Sequence, residues 1–149
     1  MKKGIIIAFL LLPALCFCQE NLNQTHAVVM ANLKKQKGEK PVLSETDSTI
    51  RMTIKTNGAN TVTHTYKFDK AGKCIMEKVV TTCDSCYKGL LNDLLKQGKY
   101  QWKKINENQY VSRFEDKLMV ELPVEKNDFY YTIFWTDWNR TLYDMLTGK

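Results

Sequence analysis

Glycine and proline are scarce in this chain, which has 7 glycines and 3 prolines among 149 residues. This composition excludes a collagen-like repeat and a low-complexity disordered chain, since both are rich in these residues. Hydrophobic residues make up 44% of the chain, as expected for one ordinary globular domain. The chain also lacks a glycine-rich phosphate loop and a dinucleotide-binding fingerprint, so no nucleotide-binding motif is present.

Only two histidines are present, and this limits the catalytic chemistry that the sequence suggests. His26 falls on the apolar stripe of a predicted helix, and His64 alternates with the apolar residues of a predicted strand. A Ser-His-Asp or Cys-His arrangement would have to use His64, and no Gly-x-Ser-x-Gly motif supplies a nucleophile. We therefore expect a non-enzymatic protein without a cofactor or metal. A hydrolase is an alternative that would need a pocket gathering His64, an acid and a nucleophile.

Residues 1 to 18 have the layout of a secretory signal peptide. Two lysines precede an apolar run that Pro13 closes, and the run is far shorter than the roughly 18 residues of a membrane-spanning helix. No later segment is a candidate span. We expect cleavage before Gln19 and export to the periplasm or the exterior of a bacterium. Lipidation of Cys18, which would anchor the protein, is the alternative.

The net charge is modest, with 22 Lys+Arg against 16 Asp+Glu in the full chain. Loss of the two signal-peptide lysines lowers the net charge from +6 to +4. Four lysines lie between residues 34 and 40, where a helix end with a favourable dipole explains them. Contact with an anionic lipid or polysaccharide is the alternative. Export argues against a nucleic-acid partner.

Hydropathy patterns predict an α+β fold in which an antiparallel sheet of six to seven strands carries helices on one face. Helical spacing indicates helices over residues 21–37 and 84–97, the second capped by Asp84 or Ser85. All but one of the links between predicted strands are short turns, which excludes a parallel sheet. We expect residues 19–48 to form a helix and linker that pack with an α+β domain over residues 49–149.

Alternating apolar residues and turn signals define the predicted strands: 50–55, 61–68, 73–82, 100–105, 109–115, 118–124 and 129–136. The turn at residues 69–72 predicts a three-residue hairpin loop in which Phe68 faces Cys74. Two residues further along, Tyr66 would face Met76, with a one-residue slip as the alternative. Asp137 is expected to cap a closing helix with one apolar face: Trp138, Leu142, Met145 and Leu146.

Three cysteines remain after cleavage, and they differ in their surroundings. Cys74 and Cys83 lie nine residues apart on a predicted strand, or about 30 Å, whereas a disulfide needs Cα atoms within about 7 Å. We expect Cys74 to be a free, buried residue. We expect Cys83 and Cys86 to form a disulfide that pins the start of the following helix.

The sequence Cys83-Asp84-Ser85-Cys86 also permits redox chemistry, because backbone N–H groups at a helix start stabilise a thiolate. Its position at a helix start resembles the thioredoxin active site, which implies thiol–disulfide exchange with Cys83 or Cys86 as the attacking thiol. The chain lacks the parallel sheet, the tryptophan and the proline of that family. A metal site is a third alternative, although no second Cys-x-x-Cys is present.

Aromatic residues are dense in the last third of the chain, and along residues 129–136 both faces of the predicted strand are largely apolar. One face must cover the core. The other is either buried by a second element or exposed as a binding surface. We therefore expect an exported binding module for a protein, peptide or glycan partner, with Tyr130, Trp135 and Trp138 as contact residues. Burial of these residues in the core is the alternative.

Overall fold

Within the part of the chain that the structure describes, eight strands form one antiparallel sheet against which three helices pack. A computed structural model describes residues 21–35, 40–56, 58–125 and 128–148, so the predicted signal peptide and Cys18 lie outside the described residues. The elements in chain order are α1 (His26–Lys34), β1 (Val42–Thr46), β2 (Thr49–Lys55), β3 (Thr61–Phe68), β4 (Cys74–Thr81), α2 (Asp84–Leu95), β5 (Lys103–Asn106), β6 (Gln109–Val111), β7 (Leu118–Glu121), β8 (Tyr130–Trp135) and α3 (Arg140–Thr147). The predicted α+β class and antiparallel sheet are confirmed, with eight strands rather than six to seven.

The strand order β1-β2-β3-β4-β8-β7-β6-β5 shows how the chain is folded back on itself. Successive antiparallel pairings place β1 to β4 side by side, and α2 then carries the chain to the far edge of the sheet. From there a meander of four strands returns, so that β8 pairs with β4. In this pairing Lys78 lies opposite Thr132 and Val80 lies opposite Tyr130.

The strand that the sequence did not predict is β1, which lies within the predicted linker of residues 38–48. It is an edge strand whose partner is β2, with Leu43 opposite Met52. All of its residues except Leu43 are exposed. Because an edge strand in contact with solvent needs no apolar alternation, its composition looks like that of a linker.

The turn between β3 and β4 has the predicted form. Gly72 has a φ of 75°, a conformation that glycine adopts without strain. The Asp69 side chain accepts hydrogen bonds from the backbone N–H groups of Ala71 and Lys73, both at 2.9 Å. The loop is therefore specified by its own residues.

The register of this hairpin is as predicted only next to the turn. Phe68 faces Cys74, but the register then shifts by one residue, so that Tyr66 faces Glu77 instead of Met76. The irregularity adds one residue to β4. As a result Glu77, and not Met76, lies on the side of the sheet that α1 and α2 cover.

The main core lies between α1, α2 and one face of the sheet. Val29 and Leu33 from α1 and Leu94 from α2 are buried against the strands. The buried strand residues on this face are Ile50, Met52, Val62, His64, Tyr66, Phe68, Cys74, Glu77, Val79, Thr81, Leu118, Val120, Tyr131 and Ile133. The helix predicted over residues 21–37 begins later, at His26, because Thr25 is its N-cap.

A second, smaller cluster lies where α3 packs on the reverse face of the sheet. Val111 is buried with Trp138 and Tyr143, and Met119 packs against them. Neighbouring strand residues such as Tyr110 and Val111 point to opposite faces, which separates this cluster from the main core. Two helices thus share one face, and α3 covers part of the other.

The closing helix differs from its prediction in its cap and its buried side. Asn139, rather than Asp137, caps it by accepting a hydrogen bond at 2.9 Å from the backbone of Leu142. Of the four residues of the predicted apolar face, Trp138 is buried and Leu146 packs against the same cluster, whereas Leu142 and Met145 are 46% and 73% exposed. The helix begins after Trp138, so the position of Trp138 does not follow the helical spacing from which the apolar face was predicted.

An acid–base pair lies inside the main core. His64 Nδ1 is 2.8 Å from Glu77 Oε1, and the two side chains are 2% and 0% exposed. The residues come from β3 and β4, in the middle of the sheet. Because a charge in the interior is tolerated only when it is paired, each side chain depends on the other.

This dependence is testable by removing one partner and then both. We expect Glu77→Leu to lower the free energy of unfolding by about 3–5 kcal/mol, because it leaves His64 without its buried partner. The double variant His64→Leu/Glu77→Leu should recover most of this loss. Urea unfolding of Glu77→Leu, His64→Leu and the double variant, with the exposed Glu107→Leu as control, measures the effect. A double variant as unstable as the sum of its single changes would contradict the account.

Candidate functional site

The Cys83–Cys86 pair lies at the junction between β4 and α2. Cys83 has an extended backbone and is the N-cap of α2, since its Sγ accepts a hydrogen bond at 3.0 Å from the backbone N–H of Cys86. It takes the capping position for which the sequence suggested Asp84 or Ser85. The Cα atoms of the two cysteines are 5.3 Å apart and the sulfur atoms lie at disulfide distance.

The surroundings of this pair exert opposing electrostatic effects on a thiolate. The N–H groups of the first helical turn stabilise negative charge on the sulfur of Cys83, which accepts a hydrogen bond from one of them. The carboxylate of Asp84, the next residue, disfavours that charge. Lys88 forms an ion pair with Asp84, which reduces this effect. Both cysteines are half-buried.

Cys74 takes no part in the pair. It is free and fully buried, as the sequence predicts. Burial, followed in importance by the charge of Glu77, raises the pKa of its thiol to about 12. At neutral pH the group therefore remains a neutral thiol and behaves as a small apolar residue of the core.

The three aromatic residues predicted to contact a partner do not share one surface. Trp138 is 4% exposed and lies in the cluster beneath α3. Trp135 is half-buried and packs against the main core. Tyr130, also half-buried, lies on the other side of β8. The alternation of strand side chains separates Tyr130 from Trp135, although both belong to the same strand.

Tyr130 belongs to a surface that we call the open face, which is the side of β1, β2, β3, β4 and β8 opposite α1 and α2. Cross-strand partners share a face, so the registers of the four pairings assign its residues. Serine and threonine are the commonest residues among these strand positions: Ser44, Thr46, Thr49, Thr53, Thr61, Thr63, Thr65 and Thr132. Thr53 and Thr63 are within hydrogen-bond distance of each other, with their Oγ1 atoms 3.2 Å apart.

Cations and aromatic rings complete the open face. Lys78 Nζ lies 3.9 Å from the centroid of the Tyr130 ring, a cation–π contact. Phe134 lies on the same side of β8, opposite Met76. Arg51 of β2 lies opposite Thr65 of β3 on the same face. Of these residues the sequence predicted only Tyr130 as a contact. Phe134, Lys78 and Arg51 were not predicted, because the strand pairings that join them are long-range and leave no local signal.

A shallow pocket of about 200 Å³ lies between α3 and the segment that follows β6. Phe114 and Tyr143 form an aromatic pair in its wall, with ring centroids 5.6 Å apart. Its two guanidinium groups, those of Arg113 and Arg140, are each bound to a carboxylate of their own segment. His64 does not line this pocket, so the pocket does not supply the arrangement that the hydrolase alternative requires.

The described residues contain no group of three or more His, Cys, Asp or Glu side chains that could hold a metal ion. Within the same part of the chain, no helix has the length and apolar character needed to cross a membrane. No family model, curated protein or solved structure matches this chain.

The assignment of the cysteines predicts their reactivity. In the native protein at pH 8 we expect Cys74 to resist alkylation, because the reaction needs a thiolate and burial raises the thiol pKa to about 12. In denaturant the same thiol should react at once, and mass spectrometry of peptides should link Cys83 to Cys86. Alkylation after reduction, which should label all three cysteines, is the control. A peptide containing Cys74 joined to either other cysteine would contradict the fold.

Proposed function

We propose that the protein is an exported, non-enzymatic binding module that holds its ligand on the open face of the sheet. The observation that carries this proposal is the grouping of Tyr130, Phe134 and Lys78 on the side of the sheet opposite α1 and α2. Aromatic rings supply a large contact area, and hydroxyl and ammonium groups supply hydrogen bonds.

The rigidity of this surface favours binding. Tyr130, Phe134 and Lys78 stand on β8 and β4, which lie in the middle of the sheet with hydrogen-bonded strands on both sides. A surface that is already ordered loses little conformational entropy when a ligand is bound. Lys78 is further restrained by its contact with the Tyr130 ring.

The placement of the reactive side chains supports a non-enzymatic role. His64 is buried on the opposite side of the sheet and bonded to Glu77. Cys74 is buried in the same core. Neither group reaches the open face, where a bound ligand would lie.

Export is part of the proposal and rests on two features. The first is the signal-peptide layout of residues 1 to 18. The second is the Cys83–Cys86 pair at disulfide distance, because disulfides persist mainly in oxidising compartments outside the cytosol.

The binding proposal is tested with an array of immobilised oligosaccharides and peptides. Loss of the ring in Tyr130→Ala should weaken binding to any positive probe by about ten-fold or more, as for a tyrosine that is a main contact residue of an interface. Val28→Ala, which shortens an exposed side chain on α1, is the control and should bind like the original protein. Circular dichroism verifies that both variants fold. Binding that Tyr130→Ala leaves unchanged, or no binding to the array, would contradict the proposal.

Thiol–disulfide exchange is the second candidate function, favoured by the hydrogen bond from the Cys86 N–H to Cys83 Sγ. In the reduced protein this bond would stabilise a Cys83 thiolate. The thiolate would attack a partner's disulfide and form a mixed disulfide while one partner thiolate leaves. Cys86 would then attack Cys83 Sγ, release the second partner thiolate and close the Cys83–Cys86 bond, so that two electrons pass to the partner.

The reduction potential distinguishes the two functions. A structural bond is expected to have a potential below about −300 mV, and we predict such a value for this protein. Equilibration with a dithiol redox buffer measures it, and the Cys74→Ala variant removes the third thiol as an interfering group. A potential near that of protein disulfide isomerase, about −180 mV, would instead support the exchange function.

A further inference from the structure

We infer that the ligand of the open face is an acidic polysaccharide, a chain of sugars that carry carboxylates. This inference rests on the proposed function, since it names the ligand class of the same surface. Two features support this ligand class: the separation of charge between the two sides of the sheet, and the hydroxyl groups that surround the cations.

Charges of opposite sign lie on opposite sides of strands β1, β2, β3, β4 and β8. The basic side chains at strand positions of the open face are Arg51, Lys55, Lys67 and Lys78. These strands contain two acids, and both point to the helix side. Glu45 lies opposite Ile50, with its carboxylate 3.9 Å from His26 of α1. Glu77 is buried beside His64. Among the described strand positions of the open face, none carries a carboxylate.

The cations are spaced across the strands so that one extended chain can touch several of them. Arg51, Thr65, Lys78 and Thr132 are successive cross-strand neighbours in one row. Neighbouring strands are about 4.8 Å apart, so the backbones at Arg51 and Lys78 are separated by about 10 Å. A ligand that crosses the strands therefore meets the two cations with a threonine hydroxyl between them.

An acidic residue marks the border of this basic surface. Glu121 of β7 lies opposite Thr132 and is the next position of the same row. Its Oε1 accepts a hydrogen bond at 2.7 Å from Nε2 of Gln109. The basic surface thus ends at β8, where Tyr130 and Phe134 lie.

The hydroxyl-rich character of the face favours a sugar chain over other acidic partners. Threonine hydroxyls donate and accept hydrogen bonds, as sugar hydroxyls do, and the Tyr130 ring offers a flat surface for a pyranose. A face that inserts into a membrane would present large exposed apolar side chains. In β1 and β4 the exposed large apolar residues are Val42, Ile75 and Val80, and of these Val42 and Val80 lie opposite threonines, Thr53 and Thr63. The centre of a protein interface is likewise more apolar than this surface.

The experiment measures binding of the full mature chain to polygalacturonate by calorimetry. The comparison probes are neutral dextran, poly-glutamate, and vesicles that contain an anionic phospholipid. The test variant is Arg51→Gln/Lys78→Gln, which removes two cations from the open face. The matched control is Lys35→Gln/Lys96→Gln, which removes two exposed cations at the ends of α1 and α2, on the other side of the sheet.

We expect polygalacturonate to bind and to bind more weakly as salt is added, because Arg51, Lys55 and Lys67 are exposed to solvent and Lys78 lies on the same outer face of the sheet. The test variant should bind at least about ten-fold more weakly, since each exposed cation near an anionic surface contributes roughly five-fold. The control should bind as the original protein does. Dextran, poly-glutamate and the vesicles should each bind at least ten-fold more weakly than polygalacturonate.

Other results would overturn the inference. Equal binding of poly-glutamate, stronger binding of vesicles, or equal loss in the control variant would each show that the sugar or the open face is not what is recognised. If only an uncharged or peptide probe of the array binds, and Tyr130→Ala weakens it, the ligand class is wrong while the binding module stands. If no probe binds in either experiment, both proposals fail.

Discussion

The pairing of β4 with β8 is the constraint on which the two faces of the sheet depend. These strands are neighbours in space although α2 and the other strands of the meander separate them in the chain. Their register places Lys78 opposite Thr132. Because side chains alternate along a strand, a slip of one residue would send Thr132 inward and Ile133 outward. The register that buries the core therefore also assembles the open face.

This arrangement places some polar groups of the strands in the core and others on the open face. His64 and Glu77 lie inside the core within hydrogen-bond distance of one another, while the cations of the strands lie outside. The irregularity near Phe68 contributes directly, because it turns Glu77 inward and leaves Met76 on the open face. Without that extra residue, a carboxylate would lie among the cations and the core would lose the partner of His64. One local irregularity thus affects both the core and the charge of the surface.

Local sequence signals predicted the antiparallel sheet and all of its strands except β1, but not the long-range pairing of β4 with β8. The turn that ends at Gly72 was predictable, because its conformation depends on adjacent residues. The strand β1 was missed, since an exposed edge carries no apolar alternation. Tyr130 was identified from aromatic density, which is a local property. Its separation from Trp135 and its proximity to Lys78 depend on strand alternation and on pairing across the sheet, and a single sequence does not specify that pairing.

The central claim is that this register places the ring of Tyr130 and the cation of Lys78 on one face. Proton NMR tests it most directly through contacts between backbone protons of β4 and β8. The account predicts cross-strand contacts between Lys78 and Thr132 and between Val80 and Tyr130. Contacts between Lys78 and Ile133, or between Val80 and Tyr131, would reveal a register shifted by one residue. That result would contradict the assignment of both faces.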